Sequence, residues 1–291
     1  MTRFIILASL ATLPLSIACG DKDDDTGGTM DGGAMDGGGA DGGGTMDGGG
    51  TMDGGGTGDG GGELSFTLSG TAIDLATSTP AATGLCIRAI NPDPAVTGGE
   101  PVTMAESTVG AGGAFSIAGV NDTPAFGILV SVFDCKSAGS VIATATPVLP
   151  PLYADVVTGD EISGLTAFSV NGEYADGIDA SLAAAGYVGS IWKDGGLMGG
   201  VWDSSYMPIQ GATVTGASGT VYYQDGDATD GLFTNASTGL NMATQASGGA
   251  LFLVPAAPIG GYSAAAVGYT FPTNTLGSSA GSIIFAPVIA E

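Results

Sequence analysis

Few side chains in this 291-residue sequence could do chemistry, and their spacing narrows what each can do. The stretch Asp225-Gly226-Asp227-Ala228-Thr229-Asp230-Gly231 comes close to an Asp-Xaa-Asp-Xaa-Asp-Gly calcium loop, with one extra residue before the third aspartate. Calcium takes about six to eight oxygen ligands, and alternating aspartates in a glycine-rich loop supply several. No glutamate stands twelve residues on from Asp225, which argues against an EF-hand. Two readings stay open: a calcium site on Asp225, Asp227 and Asp230, or an acidic hairpin loop. Asp160 and Glu161 are the nearest acidic pair, but adjacent residues of a strand point to opposite faces and do not converge. Tyr222, Tyr223, Trp192 and Trp202 could line a sugar-binding face or fill a core. The chain has no histidine, which removes His-based triads, His metal ligands and imidazole acid–base work together. No residue is assigned a catalytic role. A carboxylate hydrolase is the third-ranked function, and it would need a deep pocket with two convergent acids.

The N-terminus has the three regions of a secretory signal. Arg3 supplies positive charge, Phe4 to Pro14 a short apolar run, and Ala18 a small residue before the cut at 18/19. The apolar run is too short to span a bilayer, which needs about 20 residues. The segment Leu15-Ser16-Ile17-Ala18-Cys19 resembles the lipobox of bacterial lipoproteins, with Ser16 where the usual Leu stands and Leu15 one place further back. That resemblance implies removal of residues 1–18 and acylation of Cys19, with several chains that anchor stably where one would not. Gly20 rather than Asp follows Cys19, which points to the outer membrane, on its periplasmic or its surface-exposed side. The run Asp21-Lys22-Asp23-Asp24-Asp25 is similar to acidic surface-export signals. With Cys19 acylated, Cys86 and Cys135 remain as an even pair in an oxidising compartment and are expected to form a disulfide.

Residues 19–62 hold this cysteine and an Asp/Gly-rich repeat, as in Thr45-Met46-Asp47-Gly48 and Thr51-Met52-Asp53-Gly54. Glycine has the largest backbone entropy to lose, and the segment has almost nothing apolar to bury, so it is expected to be a disordered tether. A chain of this kind spans roughly 35–40 Å root-mean-square, more with aspartate repulsion. Calcium-binding nonapeptide repeats need a fixed period with an apolar position, and collagen needs glycine at every third place; neither pattern is present. The net charge of −24 opposes binding to nucleic acid or anionic headgroups. The expected partners are the membrane, through the lipid, and an unidentified protein or glycan. No cofactor is expected apart from the calcium reading.

From residue 63 the texture changes to short apolar runs between Gly, Pro, Asn, Asp and Ser. Leu64–Leu68 alternates as a half-buried strand should, and further strands are expected at Leu85–Ile90, Ala114–Ile117, Ile128–Phe133, Ala212–Val214, Thr220–Tyr223, Leu251–Val254, Ala265–Phe271 and Ile283–Phe285. One helix is expected, capped by Asp179 and ending near Gly186. The second half runs Gly199-Gly200-Val201-Trp202-Asp203, Pro208-Ile209-Gln210-Gly211-Ala212-Thr213-Val214, Gly248–Pro255 and Gly261-Tyr262 to Gly268-Tyr269. This order resembles the carboxypeptidase regulatory-like, transthyretin-like β-sandwich family, and Ser69–Asp74, Pro80–Ile87 and Gly113–Val120 follow it more loosely. The resemblance implies an all-β fold: a first immunoglobulin-like or transthyretin-like sandwich over 63–175, a helical connector over 176–192 and a second sandwich over 193–291. It also implies a non-catalytic spacer or binding platform. Phe115, Phe252 and Tyr269 are expected to fill the space between sheets. The leading function is a non-enzymatic, lipid-anchored display protein. The alternative is a carbohydrate- or calcium-dependent adhesion module.

Overall fold

A computed structural model describes residues 64–291 apart from 97–98, 137–138, 217, 228 and 236–238. The signal at 1–18, Cys19 and the tether over 19–62 lie outside the described residues. In chain order the first half contains β1 (Phe66–Asp74), β2 (Thr79–Pro80), β3 (Cys86–Asn91), α1 (Asp93–Val96), β4 (Val102–Thr108), β5 (Ala114–Val120), β6 (Ile128–Phe133), β7 (Val141–Val148) and β8 (Glu161–Asn171). Two helices follow, α2 (Gly172–Ala184) and α3 (Ile191–Asp194). The second half has β9 (Gly196–Trp202), β10 (Thr213–Thr215), β11 (Tyr222–Tyr223), β12 (Thr234–Asn235), β13 (Gly239–Leu240) and β14 (Leu251–Pro255). It ends with β15 (Gly260–Ala265), β16 (Asn274–Leu276), β17 (Ser282–Phe285) and β18 (Val288–Ile289).

The backbone of the fold is one sheet in the order β11-β14-β9-β17-β7-β6-β3-β4. Its middle strands are buried on both faces, and alternate residues enter different cores. Leu129, Ala145, Ile284, Leu197 and Phe252 point to one side, where the small sheet β10-β15-β16 covers them with Val214, Tyr262 and Ala264. On the other side, Ile87, Ala89, Ile128 and Val130 meet Leu68, Phe115 and Ile117 of β1 and β5, which with β8 form a facing layer that joins the central strands where β8 pairs with β7. Further along that side, Ile142, Ile283, Phe285, Met198 and Leu253 meet Ala175, Ile178 and Leu182 of α2. The architecture is thus mostly β, with sheets packed face to face and a helix filling one part of a layer.

The sheet does not stop at the boundary between the expected modules. β17, near the end of the sequence, lies between β7 of the first half and β9 of the second, parallel to both. Ile283 is in register with Thr144 on one side and Gly196 on the other. The described residues accordingly fall in one compact unit. The stretches expected as two sandwiches, 63–175 and 193–291, are thus joined through strand pairing of β17 with β7 and β9. Close backbone approach permits the join: a Cβ on Gly199 would lie 2.1 Å from the carbonyl oxygen of Ala286.

The helical segment also departs from its expected start. α2 begins at Gly172 because the Asn171 side chain accepts from the Tyr174 N–H at 2.8 Å, which is ordinary N-cap geometry. Asp179 sits inside α2, and its carboxylate reaches forward to the Ile191 N–H at 2.7 Å and the Ser190 hydroxyl. It holds α3 against α2 rather than starting α2. The expected connector over 176–192 is therefore part of a longer plug that buries one face of α2 under the central sheet.

Candidate functional site

The residues singled out by the sequence are placed mainly by turns. Cys86 opens β3, where it sits opposite Phe133 of β6, and Cys135 follows β6 by two residues. The two sulfurs are bonded, with Cα atoms 5.7 Å apart and 49 residues of separation. The staple therefore joins neighbouring strands of the first half. Beside it, the Arg88 guanidinium lies over the Phe133 ring, 4.5 Å from its centroid. Burial lowers the Arg88 pKa, and Glu106 opposite on β4 acts against that shift.

In the aspartate loop, two of the carboxylates are engaged by local turns. Asp225 accepts from the Asp227 N–H at 2.8 Å, and Asp227 accepts from the Thr229 N–H at 2.9 Å and the Thr229 hydroxyl at 2.7 Å. Each carboxylate thus turns toward its own backbone two residues on, and the Thr229 bonds depress the Asp227 pKa. Among the described residues no group of three or more His, Cys, Asp or Glu is placed to hold a metal ion. These local turns direct the Asp225 and Asp227 carboxylates to their own loop backbone.

The acidic pair is likewise divided. Asp160 accepts from the Val157 N–H at 2.9 Å, whereas Glu161 accepts from the Ser69 hydroxyl across the β1–β8 pair. Both border a cleft of about 300 Å³ with Asp155, Leu152, Val156 and Ile162. Their different partners hold the two carboxyl groups to different strands and turns.

The aromatic candidates are largely interior. Tyr222 and Tyr223 are buried, and the Tyr223 hydroxyl accepts from the Val214 N–H at 2.7 Å, fastening β10 to β11. Burial raises the Tyr223 pKa. The Trp192 indole donates to Asp176 at 2.8 Å and the Trp202 indole donates to the Gly249 carbonyl at 3.1 Å. These four residues do not make one exposed sugar-binding face. Phe115 and Phe252 fill cores as expected, but Tyr269 is 45% exposed and the buried tyrosine of that region is Tyr262.

What the sequence did not reveal is how the acids are used. Among the described residues at least ten aspartates accept a main-chain N–H, from Asp74 and Asp93 in the first half to Asp203, Asp225 and Asp227 in the second. The signal was present as aspartates next to Gly, Pro, Thr and Ser, the composition of Asx turns.

No protein-family model matches this sequence, and no curated protein matches it. Partial likenesses occur among solved structures. The shaft pilin SpaA from Lactobacillus rhamnosus GG is 9% identical over 78% of this chain and 98% of its own, with a TM-score of 0.23. The Bacillus anthracis TIE protein is 12% identical over 78% of this chain and 34% of its own, at 0.22. A 9R-lipoxygenase from Cyanothece PCC8801 is 15% identical, at 0.24; the match covers 36% of this chain and 16% of the lipoxygenase.

Proposed function

We propose that the chain is a non-catalytic envelope protein, anchored by lipid at Cys19 in the bacterial outer membrane, that displays its β layers for structural or binding work. One observation carries the reading of the β layers: many of the aspartates that might have served chemistry accept main-chain N–H groups. At least ten aspartates hold turns or helix starts, and Asp160 and Glu161 are tied to separate partners. A carboxylate so fixed shapes the scaffold, whereas acid–base catalysis requires two such groups facing one reacting atom. The carboxypeptidase regulatory-like reading belongs here as well, resting on Gly199–Asp203, Pro208–Val214 and Gly248–Pro255. Gly211, with φ of +78°, makes the turn that this motif requires before β10.

The anchor is supported by the signal pattern and by the position of Cys19. No helix among the described residues is long and apolar enough to cross a membrane. The test is expression of the chain in a Gram-negative host with an alkyne-tagged palmitate analogue, followed by mass spectrometry of the mature protein. The expected product begins at Cys19, carries acyl chains and incorporates label, while Cys19→Ala remains unlabelled. A mature protein with a free thiol at Cys19, or cut elsewhere, would sink the anchor.

A further inference from the structure

Positive charge is scarce in this protein and is unevenly placed. The sequence has 5 basic residues against 29 acidic ones, and from residue 64 onward the bases are Arg88, Lys136 and Lys193. Arg88 and Lys136 flank the Cys86–Cys135 disulfide. Cys86 and Arg88 stand two residues apart on β3 and so share one face of the sheet. Phe133 is directly opposite Cys86 in the β3–β6 pair, and the Arg88 guanidinium lies over its ring. The guanidinium is thereby held on the face that carries Cys86. Its Nε is buried and makes no hydrogen bond among the described residues, which leaves a donor unspent there. Lys136 follows Cys135 directly, and its ammonium reaches Gly84, where an added Cβ would lie 3.3 Å from Nζ. The second cation therefore borders the segment that leads into Cys86.

The two cysteines differ in their surroundings. Cys135 is exposed in the turn after β6, whereas Cys86 is half-buried in β3. Two acids lie close by. Asp134 is turned to its own loop, accepting the Lys136 N–H at 2.8 Å and the Ser140 hydroxyl, and the exposed Glu106 faces Arg88 from β4. A thiolate attacking the bridge is an anion that most of this acidic surface repels, and Lys136 supplies local attraction beside the accessible sulfur. A thiolate released at Cys86 meets the guanidinium, and a cation beside a leaving thiolate makes it leave faster. β3 is paired with β4 on one side and β6 on the other, so its place in the sheet does not depend on the bridge alone.

We propose that the Cys86–Cys135 bridge is a thiol–disulfide exchange site for an external dithiol, attacked at Cys135 and released at Cys86. One thiolate of the dithiol bonds to the Cys135 Sγ, the S–S bond breaks, and its electron pair goes to the Cys86 Sγ beside Arg88. The second thiol of the dithiol then displaces Cys135 as a thiolate and closes the reductant's own disulfide. Two electrons pass to the bridge, the dithiol is oxidised, and its two protons end on the two cysteines. This goes beyond the display role and rests neither on it nor on the lipid anchor.

The test uses the full chain carrying Cys19→Ala, so that the bridge holds its only cysteines. Reduction by dithiothreitol, followed by alkylation and mass spectrometry, should be first order in dithiol. Arg88→Gln and Lys136→Gln should each slow it about threefold or more in low salt, while Lys193→Gln, on α3, should leave it unchanged. Regiochemistry is read with the neutral monothiol 2-mercaptoethanol, acid quenching and maleimide trapping. The expected adduct has mercaptoethanol on Cys135 and maleimide on Cys86. Circular dichroism checks the fold; Lys136 is exposed, so Lys136→Gln still reads the charge if Arg88→Gln fails to fold. A rate that either folded variant leaves unchanged, an equal loss in Lys193→Gln, or mercaptoethanol on Cys86 would overturn the proposal. A rate independent of dithiol concentration would overturn it too, since the bridge would then open only after the chain unfolds.

Discussion

Loss of the Cys86–Cys135 disulfide should destabilise the half of the molecule that does not contain it. The perturbation is the double variant Cys86→Ser, Cys135→Ser. The bridge closes a loop with a sequence separation of 49 residues, for which the chain-entropy relation gives about 4 kcal/mol of denatured-state destabilisation at 25 °C. Guanidinium unfolding of a unit this size has a slope of about 5 kcal/mol per molar, so the midpoint should fall by about 0.8 M. The assay is tryptophan fluorescence. Trp192 and Trp202, the chain's two tryptophans, both lie beyond β8, whereas the bridge ties β3 to the loop after β6. If β17 truly couples β7 to β9, the fluorescence transition moves with the bridge and coincides with the far-ultraviolet dichroism transition. A fluorescence midpoint unchanged in the double variant, with a second transition shifted alone, would refute the claim that one sheet makes the halves a single cooperative unit.

Asp179→Ala removes the acceptor for Ile191 and Ser190 and should cost about 1–2 kcal/mol in a urea titration, while Asp179→Asn, which keeps one acceptor oxygen, should cost clearly less. Equal costs would mean that the α2–α3 contact does not depend on this cap. Tyr174 makes a pH prediction: burial pushes its pKa up to about 12, against the opposing effect of its 2.6 Å bond to the Gln224 side chain. The folded state keeps the phenol proton more tightly than the unfolded chain, whose tyrosines ionise near 10. The contribution, about 3 kcal/mol, is therefore complete below pH 10 and is lost as the pH rises through 12. Urea titrations from pH 8 to 12 should show this decline, and Tyr174→Phe should make it shallower; an unchanged slope would contradict the assignment.

How far the sequence foretold the structure depended on how many faces of a strand are buried. β1 and β5 alternate between core and exterior, and Phe66, Leu68, Phe115 and Ile117 mark them plainly. β6, β14 and β17 have enough β-branched and aromatic residues to be recognised although both their faces are covered. β7, with Val141-Ile142-Ala143-Thr144-Ala145, and β9, with Gly199 and Gly200, escaped because two-sided burial erases alternation and small residues dilute the apolar signal. The strand expected at Ala265–Phe271 begins earlier, at Gly260, and stops at Ala265; Gly268, with φ of +86°, lies in the exposed loop that follows. Asp179 satisfied a capping pattern, but the choice between it and Asn171 is made by tertiary position: α3 lies within reach of Asp179 and competes for its carboxylate. In the aspartate loop, Asp225 and Asp227 are turned toward N–H groups two residues on for a related reason. Spacing says how many oxygens are near one another, and the backbone decides where they point.

The use of aspartates for turns has a further physical effect on association. Many carboxylates at loop positions leave the surface strongly negative, and like charges on two molecules discourage contact over most orientations. The ends of the central sheet add to this. β4, which ends the sheet, follows Pro101 and exposes Glu106, and β11 at the other end is just two residues long. Both features discourage edge-to-edge strand pairing, the commonest unwanted contact of β proteins. A chain guarded in this way at its edges and over its acidic surface still exposes Tyr206, Met207, Val267 and Tyr269, in loops that adjoin Asp203 and Glu291. Those residues contribute little to the core, and selection for solubility alone favours their replacement by polar ones. A free strand edge would let copies add without limit, and the two-residue β11 and the exposed Glu106 of β4 oppose that kind of growth.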